Sequence, residues 1–100
     1  MHYVVIFKAK IKALDETYFK TAQSLREKAI TQFNCQKFEA ISEQDFEVAL
    51  SYWNNLNDIQ AWHQDAEHQV AQQLGKQHWY QSFSVEICKI EHHYTSAAHM

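Results

Sequence analysis

A chain of 100 residues that contains one glycine, Gly75, and no proline has almost none of the punctuation that loops are built from. Such a chain is confined to regular elements joined by short polar turns. At this length it forms one domain with a modest core of its own, assigned to residues 1–95 with a short tail at 96–100. No linker or internal repeat is visible.

Hydrophobic periodicity supplies the elements. Tyr3, Val5, Phe7, Ala9 and Ile11 alternate on one face of an extended run, with Val4 and Ile6 on the other, so the run from Tyr3 to Ile11 reads as a strand covered on both sides. Asp15 is placed to cap a helix over about residues 15–32. Its stripe Leu14, Tyr18, Ala22, Leu25 and Ala29 recurs every three or four residues. Cys35 to Ile41 and Phe46 to Trp53 read as a hairpin around Ser42-Glu43-Gln44-Asp45. After the turn signal Asn54-Asn55, the residues Leu56, Ile59, Trp62, Ala66, Val70 and Leu74 keep helical spacing up to Gly75, a natural C-cap. That region is one long helix or two short ones broken near His63 to Asp65. Gln81 to Tyr94 closes the chain as a strand with Phe83, Val85 and Ile87 on one face and Cys88 and Ile90 on the other.

The order βαββαβ predicts an α+β fold, the ferredoxin-like plait: a four-stranded antiparallel sheet with both helices on one face. Because the first and last strands are apolar on both faces, a second copy of the sheet is expected to cover the open side, giving a homodimer. Cys35 and Cys88 fall near opposite edges of such a sheet and are expected to stay reduced.

Several classes of function are disfavoured. The formal net charge is −3, with no basic stripe interleaved with aromatics, so nucleic acid is not an expected partner. Lys8, Lys10 and Lys12 alternate as a solvated strand face does. The start of the chain shows no basic n-region, and the apolar run Val4 to Phe7 is far too short for a signal core or membrane span, which predicts a cytoplasmic protein without a membrane partner. One glycine builds neither a phosphate cradle nor a Rossmann turn. No set of His, Cys, Asp or Glu has the spacing of three or four convergent ligands. His63 and Glu67 share a helical face, His68 turns away from His63, and His92 and His93 point to opposite faces of a strand. No metal and no cofactor is expected.

What remains is aromatic. All three tryptophans and three of the seven histidines fall between Ser51 and Phe83. One tryptophan alone would be a core filler; Trp53, Trp62 and Trp79 together, with Tyr18 and Phe7 facing the same interior, predict the wall of a pocket for a small aromatic ligand. Among the histidines His68 is the candidate base, since Asp65 and Gln72 at i−3 and i+4 could orient its imidazole.

The run Phe46-Glu-Val-Ala-Leu-Ser-Tyr-Trp53, Trp62 nine residues later, Glu67-His68, Gly75, Trp79-Tyr80 and the final Ile90-Glu91 resemble the antibiotic biosynthesis monooxygenase domain family of dimeric α/β-barrel proteins. The resemblance runs from Tyr3 to Tyr94. It implies a homodimer whose sheets face each other, with a pocket between helices and sheet in each subunit. It also implies cofactor-independent monooxygenation of a phenol or quinol by O₂, with the substrate anion supplying the electron. The heme-degrading branch shares a tryptophan like Trp62, but it also uses an asparagine on the first strand, absent from Tyr3–Ile11, and a histidine where this chain has Gln72. Members of the superfamily that only bind ligands imply the alternative, a non-catalytic ligand-binding or stress-response barrel. A third reading makes the aromatics core and dimer contacts alone.

Overall fold

The computed structural model describes residues 1–72 and 78–97. Six elements follow in the order β1 (Tyr3–Ile11), α1 (Glu16–Gln32), β2 (Lys37–Glu43), β3 (Phe46–Trp53), α2 (Leu56–Gln72) and β4 (Tyr80–Lys89). The strands form one antiparallel sheet in the order β2-β3-β1-β4, the expected ferredoxin-like α+β arrangement.

Among the described residues, the left-handed backbone positions that a glycine-poor chain must fill are taken by Asn34, at φ 65°, and Gln44, at φ 55°. Asn34 lies just past α1, where asparagine is the usual substitute for glycine. Around it the Phe33 amide donates to the Lys28 carbonyl at 3.2 Å and the Cys35 amide to that of Ala29 at 2.9 Å. The other end of α1 starts as the sequence predicts, with the Asp15 carboxylate accepting from the Tyr18 amide at 2.7 Å. Asn55 does the same for α2, accepting from the Asp58 amide at 2.9 Å. α2 runs without the break considered near His63 to Asp65. The Gly75 cap lies outside the described residues.

Three boundaries differ from expectation. β2 runs on past Ile41 to Glu43, so the hairpin turns on Gln44-Asp45 alone. β2 begins at Lys37 rather than Cys35, because Cys35 is engaged in the helix exit. β4 stops at Lys89, not Tyr94: Lys89 is opposite Tyr3, and after the Ile90 amide donates to the His2 carbonyl at 2.8 Å, β1 offers no further partner. His92 and His93 therefore lie beyond the sheet.

One face of the sheet carries the core. Val5, Ala29, Cys35, Trp53 and Ile59 are buried together, with Tyr3, Phe33, Phe38 and Trp62 packed around them. Ser51, buried in the same layer, accepts from the Trp53 indole at 2.8 Å, so neither polar group is left unsatisfied. On the opposite face the central strands present Val4, Ile6, Val48, Leu50 and Tyr52, while Lys37, Glu39 and Glu86 stand on the edge strands. Cys35 and Cys88 are free thiols. Among the described residues no helix is long and apolar enough to cross a membrane.

Candidate functional site

A cavity of about 310 Å³ opens between α1, α2 and the helix-facing side of the sheet. Its origin is the two-residue period of the strands. Trp53 faces inward, so Ser51, Ala49 and Glu47 do too, and the register sets Glu47 opposite Ala9 and Ala9 opposite Phe83. The small residues Ala40 and Ala49 leave space beneath the helices, and Phe7, Phe83 and Val85 wall it.

Four of the five residues expected to line a pocket do so: Phe7, Tyr18, Trp62 and Trp79. Trp53 is outside the lining. It is fully buried behind Trp62, with ring centroids 5.4 Å apart, and belongs to the core. Trp62 is held between helices by its indole N–H, which donates to the Leu25 carbonyl at 3.1 Å. Trp79 is buried because its carbonyl accepts from the Lys12 and Ala13 amides at 2.7 and 3.4 Å, which presses its ring edgewise onto Tyr18 at 5.3 Å.

His68 is exposed and does not line the cavity; His63 and Glu67 do. The helical period explains this. At about 100° per residue, His68 lies about 120° from Trp62 and about 160° from Val70, on the far side of the stripe that faces the sheet. The Gln72 side chain that would have oriented it lies outside the described residues. His63 and Glu67 approach each other at 3.4 Å at the helix surface.

The polar centre of the cavity is a carboxylate between two tyrosines. The Tyr18 hydroxyl donates to Glu47 Oε2, and the Tyr80 ring lies 6.2 Å from that of Tyr18. Burial, then the hydrogen bond to Glu47 and the neighbouring negative charge, hold the Tyr18 hydroxyl protonated far above the ordinary tyrosine range. Burial and the Glu47 charge push the Tyr80 hydroxyl up to about 12, against a smaller opposing effect of Tyr18. Both phenols are therefore neutral donors beside an acceptor. Phe7 and Phe83 complete this end, their rings stacked at 5.9 Å and each packed against Tyr80. Glu47 and Tyr80 were missed in the sequence. The available signal for Glu47 was its strand parity with Trp53, which places a carboxylate on an otherwise apolar inward face. Among the described residues no group of three or more His, Cys, Asp or Glu could hold a metal.

Solved structures share this architecture at low identity. The NE2512 protein of unknown function from Nitrosomonas europaea superposes with a TM-score of 0.71 at 10% identity, covering 97% of this chain and 96% of that one. PA3566 from Pseudomonas aeruginosa gives 0.69 at 12% identity, covering 89% and 93%. A candidate antibiotic biosynthesis monooxygenase from Chloroflexus aurantiacus J-10-fl gives 0.55 at 10% identity, covering 93% and 98%. These likenesses establish the fold. No family model matches the sequence. The uncharacterized protein YqjZ of Bacillus subtilis (strain 168) is 31% identical over 91 residues, which span 90% of this chain and 80% of YqjZ. With that identity sustained over nearly the whole domain, the chain belongs to the family of YqjZ.

Proposed function

We propose that the protein is a cofactor-independent monooxygenase that binds a small phenol or quinol in the cavity and oxidises it with O₂. The observation that carries this reading is the Glu47 carboxylate, set in an apolar-walled cavity and oriented by the Tyr18 hydroxyl. Its resemblance to the fold of a candidate antibiotic biosynthesis monooxygenase agrees with it.

In this reading Phe7, Trp62 and Phe83 hold the aromatic body of the substrate and exclude water, while Glu47 accepts a proton from the substrate hydroxyl. Tyr18, fixed as a neutral donor, keeps the carboxylate aimed. The substrate anion then gives an electron to O₂. For a hydroquinone, one oxygen atom enters the ring as a hydroxyl as the ring becomes a quinone, and the other leaves as water. His68, the base expected from sequence, is replaced in this role by Glu47. The protein works as a homodimer, with the apolar centre of the outer sheet face covered by the same face of a second copy.

Oxygen uptake by the purified protein with menadiol tests the reading. Uptake well above the non-enzymatic rate, reduced by roughly two to four orders of magnitude in Glu47→Gln, is the expected result. Uptake at the background rate with a panel of phenols and quinols would overturn it in favour of a ligand-binding barrel.

A further inference from the structure

We infer that the ligand of this cavity is a phenolic acid, its hydroxyl directed to Glu47 and its carboxylate, at the far end of the molecule, held by Arg26. The inference rests on the phenol-binding part of the reading above and names the substrate class within it.

Arg26 lines the cavity from α1. The other cations of that helix are paired: Lys20 lies 3.2 Å from Glu16 and Lys28 3.5 Å from Asp65. Arg26 has no ion pair among the described residues. A guanidinium is permanently charged and matches a carboxylate in a two-pronged geometry, so an unmatched one at the edge of an apolar cavity is suited to an acidic ligand.

The spacing fits one molecule spanning both ends. Tyr18, which marks the Glu47 end, is eight residues before Arg26, a separation of about 12 Å along the helix axis. An aromatic ring with a short carbon chain and a terminal carboxylate bridges that distance once a hydrogen bond is added at each end. Apolar wall lies between, supplied by Ala22, Leu25 and Trp62. The two ends also impose direction. Glu47 repels a carboxylate and accepts from a phenol, whereas Arg26 offers nothing to a hydroxyl that it does not offer more strongly to a carboxylate. Glu67, at the same rim, lies within ion-pair distance of His63.

Isothermal titration calorimetry with 4-hydroxycinnamate and its methyl ester separates the contributions. The wild-type protein binds the acid more tightly than the ester, and Arg26→Gln weakens the acid about tenfold, equivalent to about 1.4 kcal/mol, while changing the ester less than twofold. Glutamine keeps the helix, and the site is exposed, so the variant folds. Equal affinities for acid and ester, or a loss shared by both ligands in Arg26→Gln, would overturn the inference and leave phenol binding standing. Absence of binding by both compounds would remove the phenol reading with it. Acid-selective binding in a protein that takes up no O₂ with menadiol would keep the site and discard the oxygenase.

Discussion

The Tyr18 hydroxyl donates its hydrogen bond to the Glu47 carboxylate and so ties the first turn of α1 to the start of β3. The same tyrosine's amide is capped by Asp15, which means one residue fixes both where the helix begins and how the cavity's carboxylate is aimed. Replacing Glu47 separates these duties. Glu47→Gln keeps an oxygen for Tyr18 to donate to, so unfolding free energy should change by no more than about 1 kcal/mol while turnover collapses. Glu47→Ala leaves the buried hydroxyl without its acceptor and should cost about 1–3 kcal/mol, read by urea denaturation.

Alkaline pH should unfold the protein in a way that reports on the two phenols. Tyr18 and Tyr80 both ionise at higher pH folded than unfolded. Below pH 10, the ordinary tyrosine value, both states hold the protons and the stabilisation is complete. Above it the unfolded chain loses protons that the folded one keeps, so stability falls as pH rises from 10 through 12. Tm measured across that window should drop, and the drop should be shallower in Tyr80→Phe.

His68→Ala should leave ligand affinity within twofold, and stability within about 0.5 kcal/mol, since the side chain is exposed on the face of α2 turned away from the cavity. A large loss of turnover in this variant would return His68 to the site.

The tryptophans should separate by role. Trp53→Ala removes a fully buried ring and should cost about 3–5 kcal/mol without requiring any ligand for the effect to be seen. Trp79→Phe should keep the edge contact with Tyr18 and fold, but alter ligand affinity, by calorimetry.

Dimerisation should depend on the outer sheet face. Light scattering should give twice the chain mass at micromolar concentration, and Leu50→Asp, at the centre of that face between Glu39 and Ile6, should give the monomer.

Nearly all of the fold was legible because it rests on periodicity. The alternation through Tyr3–Ile11 and Phe46–Trp53, the Asp15 cap and the stripe Ile59, Trp62, Ala66 and Val70 each fix a local structure with few competitors. Where strands end was not legible, since Lys89 stops β4 only because of where Tyr3 lies in a neighbouring strand. The site was half legible for a related reason. Large aromatics announce an interior, but the role of a polar residue depends on which side of its element it occupies. Six residues from Trp62 sounds close for His68 and is about a third of a turn away on the helix; six residues from Trp53 sounds remote for Glu47 and is the same side of the strand.

Trp62 is a partition shared by two rooms: one side of its ring rests on Trp53 and the core, the other looks into the cavity. A domain of this size has no spare layer to put between ligand and scaffold. Any change that reshapes the cavity at Trp62 also loosens the packing that keeps α2 on the sheet, so variants selected for a new ligand at this wall must find their stability elsewhere. The edge strand β4 is free of that constraint. Phe83 and Val85 face the cavity yet remain exposed, so the wall can change shape there with less consequence for folding than at Trp62.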